Sequence, residues 1–159
     1  MSAAPETRRT RSADQTRRLG RRFARALQSG DVIALLGEIG AGKTTFVQGV
    51  ASGLGVPVSV VVSPSFVLMR EYHGRLPLYH ADLFRLDSMP EAATVGLEEC
   101  YEAGGVTLVE WANRIPAVMP AEFLEVRFQV EGENERTIEI FPHGPRYERR
   151  RWLAKRWPW

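Results

Sequence analysis

A chain of 159 residues is long enough to bury the core of one domain and too short for two ordinary domains. Hydrophobic residues make up 44% and charged residues 25%, as in globular proteins, and every apolar run is shorter than the roughly 20 residues of a transmembrane helix. We therefore predict a protein without a membrane segment. The single cysteine, Cys100, excludes an internal disulfide and fits a reducing compartment, so we expect a cytoplasmic protein with a buried structural thiol.

The net charge of +2 is unevenly distributed along the chain. Residues 1–25 contain eight arginines and residues 144–159 contain six Arg or Lys, which leaves 7 basic and 16 acidic residues outside the two ends and their three acids. Basic ends attract nucleic acid, acidic proteins or anionic lipid, and solvated tails without a specific role are the simpler alternative.

The N-terminal residues are polar and arginine-rich, without the apolar stretch of a secretory signal, so we expect a disordered tail over 1–11. An organellar transit peptide has a similar composition. A helix is predicted from Ser12, which has capping-box spacing to Gln15 and is followed by an apolar residue at every fourth position from Leu19. Ser29-Gly30 ends this pattern.

The most informative stretch is Gly37–Thr44, which matches the phosphate-binding loop pattern GxxxxGK[ST]. It follows the uniformly apolar run Val32–Leu36, typical of a central parallel strand, and precedes a predicted helix over Thr45–Leu54. Its glycines let backbone N–H groups converge on a phosphate chain. Lys43 adds a charge at the β- and γ-phosphates, and Thr44 adds a hydroxyl for Mg²⁺. A glycine-rich turn that carries a lysine by chance is the alternative.

The middle of the chain predicts strands around an interrupted loop. A β-branched run covers Val58–Val62, Pro64 breaks any continuous ladder, and we expect a loop at 63–65. Strands are predicted from Phe66 to about Tyr72 and over Leu78–Asp82.

The last third of the sequence returns to helix signals and then to strands. Ser88 is a predicted helix cap, and short helical segments fill 90–103. The compact apolar run Val106–Val109 predicts a buried strand. Two further strands, about 123–130 and 136–141, are expected to form an antiparallel hairpin at the edge of the sheet.

These elements predict an α/β fold of the P-loop NTPase type, with three layers, a central, mainly parallel sheet and an antiparallel C-terminal hairpin. The domain is expected to span 12–143, between the tail over 1–11 and a basic, aromatic-rich tail over 144–159. Arginines bind phosphates and aromatic rings stack on bases, so tRNA contact through the basic tails is one hypothesis. A membrane interface or docking to a partner suits the same composition of the C-terminal tail.

Two acidic residues stand at the carboxyl ends of predicted strands, where P-loop enzymes carry the acid that supports their metal. Glu110 follows Val106–Val109, and Asp82 ends its own strand. A solvated acid at a strand end is the ordinary alternative. The complete phosphate loop favours a catalytic role for both acids, together with Lys43.

No internal arginine finger is evident in the sequence. Arg85 and Arg114 lie near the motif residues, but a surface salt bridge is the expected role of each. His73 and His80 show no zinc-ligand spacing, so a surface or strand-end hydrogen bond is expected for them. Phosphoryl transfer is accelerated mostly by positioning and charge neutralisation, so we expect a weak nucleoside triphosphatase that a partner activates.

Four blocks in this order and spacing resemble the TsaE (YjeE) family: Gly37–Thr45, Ser63–Phe66, Tyr79–Leu86 and Val109–Trp111. The similarity extends from about residue 16 to 141. The family is that of a bacterial ATPase required to make N6-threonylcarbamoyladenosine in tRNA. Its members act with the TsaD–TsaB complex, which transfers the threonylcarbamoyl group, so the resemblance implies TsaD and TsaB as partners.

The resemblance also implies ATP and Mg²⁺ as cofactors and a role for individual residues. Lys43 would be the phosphate lysine, and Asp82 would position the attacking water. Thr44 and Glu110 would be the magnesium-side residues. Nucleotide contacts are implied for Gly37, Glu38, Ile39, Gly40, Ala41, Gly42, Lys43, Thr44, Thr45, Ser65 and Trp111. The block over 63–66 resembles a switch loop that senses the state of the nucleotide.

The chain departs from the family pattern at three positions. Ser65 stands where Thr is usual, which keeps the hydroxyl, Ala81 replaces an aromatic residue, and Ala112 replaces a proline. Two other functions use the same loop: a small-molecule kinase, and a nucleotide-dependent module that binds RNA or protein. No base-reading motif such as NKxD is present, so the choice between ATP and GTP comes from the family alone.

Overall fold

Seven strands build one sheet from the apolar and β-branched segments of the chain. In the computed structural model, which describes residues 4–64 and 66–152, the sheet order is β1-β7-β6-β2-β5-β4-β3. The strands are β1 (Glu6–Thr10), β2 (Val32–Leu36), β3 (Met69–His73), β4 (Pro77–Asp82), β5 (Val106–Glu110), β6 (Phe123–Val130) and β7 (Arg136–His143). β6, β2, β5 and β4 run parallel. The pairs β1–β7, β6–β7 and β3–β4 are antiparallel.

The predicted α/β architecture is confirmed. β2 is the middle strand of the seven, with parallel neighbours on both sides, as its uniformly apolar sequence predicts. One hydrophobic cluster packs α1 (Ala13–Phe23) and α2 (Lys43–Gly53) against one face of the sheet. A second cluster packs α3 (Met89–Ala93) and α4 (Leu97–Glu102) against the other face. The fold therefore has the three predicted layers.

The helix signals are confirmed in detail. Ser12 caps α1 by accepting a hydrogen bond from the backbone N–H of Gln15 at 3.0 Å. α1 and α2 approach each other closely where both carry glycine: a Cβ on Gly20 would lie 2.3 Å from the carbonyl oxygen of Phe46. Because α1 is pressed against α2, it braces the helix that follows the phosphate-binding loop.

The N-terminal residues are not a tail in the part that the structure describes. Glu6–Thr10 forms β1 and pairs with β7, so the prediction of disorder over 1–11 is wrong for these residues. The side-chain hydroxyl of Thr10 is buried and lies 2.7 Å from that of Thr16 on α1. β1 also displaces the C-terminal hairpin from the edge of the sheet. An arginine-rich sequence reads as disordered, but backbone pairing with β7 requires no apolar side chains.

The segment before β3 differs from its prediction. Val58–Val60 forms a short 3-10 helix instead of the start of a strand. β3 begins at Met69 and not at Phe66, because Leu68 has a left-handed backbone (φ 70°) that interrupts an extended chain.

The C-terminal boundary at 143 is also wrong, since the described part of the presumed tail packs on the domain. A short helix, α5 (Pro145–Glu148), buries Tyr147, and the chain continues to Trp152, whose side chain is buried against Phe23. The arginines of this segment compensate the charge of the buried Asp31, more than a hundred residues away in sequence. Residues 153–159 of the predicted tail lie outside the described residues.

Two predictions about the chain as a whole have an outcome here. Within the described residues, no helix combines the length and apolarity needed to cross a membrane. Cys100 is buried, as expected of a structural thiol, and burial raises its pKa.

Candidate nucleotide-binding site

A cavity of about 390 Å³ opens at the carboxyl end of the parallel strands. Binding sites of α/β proteins form at this edge, because loops that leave neighbouring strands separate there. β2 leads into the phosphate-binding loop, β4 ends with Asp82, and β5 ends with Glu110. Asp82 and Glu110 are directly opposite each other in the β4–β5 register, which explains how residues far apart in sequence reach the same cavity.

The glycine-rich loop adopts conformations that only glycine reaches without strain. Gly40 and Gly42 have φ values of 80° and 101°, and Gly42 caps the N-terminus of α2. The cavity wall contains Gly42, Lys43, Thr44 and Thr45. The N–H groups of the first turn of α2, which have no acceptor within the helix, therefore lie at the cavity. This is the anion-binding arrangement that the motif predicts.

Lys43 is buried, with 5% of its surface exposed. Its ammonium donates to the carbonyl oxygens of Gly37 and Glu38, and lies 4.4 Å from the centre of the Trp111 ring. Burial lowers the pKa of Lys43, and the nearby carboxylates of Glu110 and Asp82 oppose that shift only in part. A phosphate would supply the negative charge that this desolvated cation lacks.

Glu110 links three elements of the site. Its carboxylate accepts a hydrogen bond from the hydroxyl of Thr44, with oxygen separations of 3.1 and 3.2 Å. Its Oε2 also lies 2.6 Å from Nε2 of His80. The carboxylate of Asp82 is nearly buried too, and accepts from the backbone N–H of Phe84 at 2.8 Å.

The residues present fit a magnesium ion. Mg²⁺ in nucleotide sites takes one or two carboxylates and completes its shell with phosphate and water, so a hydroxyl beside a single carboxylate is an appropriate protein donor set. Thr44 and Glu110 supply such a pair at hydrogen-bonding distance. The described residues contain no cluster of three His, Cys, Asp or Glu side chains that would indicate a cage made by protein alone.

For His80 the surface alternative is wrong, since it has no exposed area, whereas a hydrogen bond near the end of β4 is observed. It lies two residues before Asp82 on the same strand, and therefore on the same side of the sheet. That spacing was a usable signal, because a polar residue in an otherwise apolar strand must find a buried partner. The partner is Glu110, whose carboxylate it holds in place.

Trp111 has a strained backbone, with a left-handed φ of 60°. This conformation follows β5 directly, and the Trp111 N–H bonds to the carbonyl oxygen of Leu35 at 3.1 Å. Its ring packs on Phe84, with centroids 4.9 Å apart, and on the ammonium of Lys43. Strain in a residue that contacts the phosphate lysine is typical of a functional site.

Most of the predicted contact residues meet at the cavity. Its wall includes Ile39, Gly40, Ala41, Gly42, Lys43, Thr44, Thr45, Asp82, Glu110 and Trp111. Gly37 and Glu38 contribute carbonyl groups to Lys43 instead. Ser65 lies outside the described residues.

The two candidate arginines behave differently. Arg114 makes the expected surface salt bridge, with 2.6 Å to the carboxylate of Asp87. Arg85 makes no salt bridge with any described residue and lies at the cavity, with its guanidinium 4.2 Å from the centre of the Phe66 ring.

Comparisons with known proteins agree with this geometry. A sequence model of the family described as threonylcarbamoyl adenosine biosynthesis protein TsaE matches residues 10–138. The chain is 41% identical to the tRNA threonylcarbamoyladenosine biosynthesis protein TsaE of Bacillus subtilis (88% of this chain, 87% of the relative). It is 39% identical to the TsaE protein of Treponema pallidum (82% and 96%). The crystal structure of Bacillus subtilis YdiB superposes with a TM-score of 0.81 at 37% identity (94% and 92%). The chain therefore belongs to the TsaE family of tRNA threonylcarbamoyladenosine biosynthesis proteins.

Proposed function

We propose that this protein is a Mg²⁺-dependent ATPase that supports threonylcarbamoyl modification of tRNA by acting on the TsaD–TsaB complex. The observation that carries the ATPase is the meeting of Lys43, Thr44 and Glu110 at the mouth of a complete phosphate-binding loop. The pathway is that of the family, and TsaD and TsaB are the partners that the sequence resemblance implies.

Each group has a defined task in hydrolysis. The N–H groups of the loop and the ammonium of Lys43 bind the phosphate oxygens and offset their charge. Thr44 and Glu110 would hold Mg²⁺, which supplies further charge neutralisation at the β- and γ-phosphates when bound. Asp82 is a carboxylate close to that position, and orients the attacking water by accepting its hydrogen bond.

The contacts at the site support slow turnover without a partner. Lys43 is bonded to the carbonyl oxygens of its own loop, and the carboxylate of Glu110 is bonded to Thr44 and His80. These contacts must rearrange before both residues bind nucleotide and metal. A partner that stabilises the rearranged state raises the rate by shifting this population.

The alternative functions receive less support. A small-molecule kinase is expected to cover its cavity with a helical lid that carries several arginines. The described residues form no such lid. Direct RNA binding by the C-terminal arginines is disfavoured for Arg146 and Arg150, because both are engaged with the buried Asp31. RNA binding by the remaining basic residues stays a hypothesis, and the salt dependence of the affinity for RNA would test it.

The test is phosphate release from ATP and from GTP with Mg²⁺, by the protein alone and with added TsaD–TsaB. We expect slow ATP turnover that increases with the complex. Lys43→Ala and Glu110→Ala should abolish both rates, whereas Arg18→Ala on the exposed side of α1 should retain them. Equal rates for Lys43→Ala and the unmodified protein would overturn the ATPase. Turnover without any response to TsaD–TsaB would overturn the partnership alone.

A further inference from the structure

Arg85 supplies a second cation to the wall of the nucleotide cavity, in addition to Lys43. Its backbone is held close to both acidic residues of the site. The N–H of Leu83 bonds to the carbonyl oxygen of Glu110 at 3.0 Å, and the N–H of Phe84 bonds to the carboxylate of Asp82. The turn that carries Arg85 is therefore built onto the two strand ends that form the site.

The guanidinium of Arg85 is available for a ligand. Among the described residues, no carboxylate oxygen lies within 4.0 Å of its guanidinium nitrogens, which is the limit for an ion pair. It rests instead on the ring of Phe66, which is 81% exposed. A cation on an exposed aromatic ring is weakly held. Arg114 shows the contrast, since its guanidinium is bonded both to Asp87 and to the carbonyl oxygen of Leu86.

The charge of the site calls for another cation once nucleotide is bound. Asp82 and Glu110 are nearly buried and Lys43 is the only other cation on the cavity wall as described, so the protein contributes a net negative charge without Arg85. ATP with one Mg²⁺ adds about two more negative charges. Since charge develops on the γ-phosphoryl oxygens during transfer, an unpaired guanidinium at this cavity is attracted to them.

We infer that Arg85 is an arginine finger supplied by the chain itself, which leaves Phe66 and binds the γ-phosphoryl oxygens during hydrolysis. This inference rests on the proposed ATPase. The oxygen of water forms a bond to the γ-phosphorus, and the bond from that phosphorus to the β–γ bridging oxygen breaks. The electron pair of that bond stays on ADP, and a proton of the water is released to solvent as inorganic phosphate forms. Arg85 neutralises charge in this step and transfers no proton.

The first test compares Arg85→Ala with Arg85→Lys in Mg²⁺-dependent ATP turnover, alone and with TsaD–TsaB. We expect Arg85→Ala to reduce kcat about 100-fold under both conditions, less than the roughly 1000-fold or larger effect of other arginine fingers because Lys43 already neutralises part of the charge. The KM for ATP should change less than about 3-fold, because the contact forms mainly in the transition state. Arg85→Lys should recover part of kcat, since it keeps the charge but not the planar fork.

Two controls separate catalysis from structure. Arg114→Ala removes a neighbouring arginine that is bonded to Asp87 and does not line the cavity, so kcat should stay within about 3-fold of the unmodified rate. A loss equal to that of Arg85→Ala would show that the effect does not depend on a guanidinium at the cavity, and would overturn the inference. Arg18→Ala, which removes an exposed arginine that does not line the cavity, should also leave kcat unchanged.

The second test measures binding without turnover. ADP with Mg²⁺ and fluoroaluminate mimics the γ-phosphoryl group in transfer, and its affinity is measured by calorimetry against that of Mg²⁺-ADP alone. Arg85→Ala should lose most of the gain in affinity that fluoroaluminate provides, with the affinity for Mg²⁺-ADP within about 2-fold. An unchanged gain, or a kcat effect confined to assays with TsaD–TsaB, would overturn the inference while leaving the ATPase intact. If the unmodified protein hydrolyses no ATP, the proposed function fails, and the inference fails with it.

Discussion

Each end of the central strand β2 has a buried carboxylate beside it, and the two carboxylates are compensated in different ways. Asp31, immediately before β2, has no exposed surface, and Glu110, which pairs with Leu35 near the other end of β2, is 3% exposed. Asp31 is bonded to the guanidinium groups of Arg146 and Arg150. Glu110 is bonded to the side chains of Thr44 and His80 and has a partly desolvated lysine nearby. One end is saturated by its own chain, whereas the other keeps capacity for a ligand.

The saturated end is a clamp made by the C-terminal segment. Arg150 contacts both carboxylate oxygens of Asp31 at 2.7 Å, and the backbone N–H of Gln28 adds a further bond at 2.7 Å. Tyr147 accepts a hydrogen bond from the N–H of Val32. Trp152 covers the guanidinium of Arg150 at 4.2 Å. The buried carboxylate at this end is compensated by cations of the chain, whereas the proposed ATPase requires a ligand to complete the site at the other end.

Glu110→Gln should have the largest effect at the open end. It keeps the volume and hydrogen-bonding capacity of the side chain but removes the charge that Mg²⁺ requires. We expect ATP turnover to fall about 1000-fold, equivalent to about 4 kcal/mol, with the free energy of unfolding within about 1 kcal/mol of the unmodified value. Phosphate release and urea unfolding measure the two quantities. A stability loss as large as the loss of transition-state stabilisation would contradict the assignment of Glu110 to ligand binding.

Asp31→Asn is the matched change at the saturated end. It leaves Arg146 and Arg150 without their buried counter-charge, so we expect the free energy of unfolding to fall by about 3 kcal/mol. Turnover per folded molecule should stay within about 2-fold, because the clamp lies at the opposite end of β2. Unfolding in urea and assays at a temperature where the variant is folded separate these effects. Unchanged stability would mean that the clamp contributes nothing.

His80→Ala tests whether the residues proposed to bind the ligand depend on a hydrogen bond from a neighbouring buried side chain. Loss of the bond to Glu110 should lower kcat about 10- to 100-fold with little change in the KM for ATP. His80→Gln, which can still donate to the carboxylate, should recover most of that loss. The chain offers a control in His143, which lies 2.7 Å from Glu125 away from the cavity. His143→Ala should not alter kcat, and no recovery by His80→Gln would argue for a packing role only.

Tyr147→Phe should have the smallest effect, at the saturated end. The N–H of Val32 loses its acceptor, so the free energy of unfolding should fall by about 1–2 kcal/mol at pH 7. Burial raises the pKa of Tyr147 above its ordinary value of 10.0, so the unfolded phenol ionises first as pH rises. The free energy of unfolding of the unmodified protein therefore falls above about pH 10. The difference in that free energy between the unmodified protein and Tyr147→Phe should become smaller there. Urea unfolding of both proteins at pH 7 and pH 11 checks the sign, and a widening difference would contradict it.

The candidate site was predictable because its main parts are local in sequence. A strand, a glycine loop and a helix are contiguous around Gly37–Thr44, and each element carries its own signal. Asp82 and Glu110 were also predictable, because acids at the ends of parallel strands share one edge of a sheet. The sequence left His80 between a surface and a strand-end hydrogen bond and assigned Arg85 a surface salt bridge, since single-residue patterns do not indicate which side chains become buried or which cations stay unpaired.

The sequence by itself determined the class of fold, the position of the phosphate loop and the identity of the acids beside it. Only the tertiary structure decided that Glu6–Thr10 completes the sheet and that residues 144–152 belong to the domain. The physical reason is the range of the interactions. A helix cap or a phosphate loop is closed by neighbours in the chain, whereas the charge of Arg150 is compensated by a carboxylate 119 positions away. The basic composition of this segment therefore predicts a tail, because the carboxylate that pairs with its arginines is brought beside them only by folding.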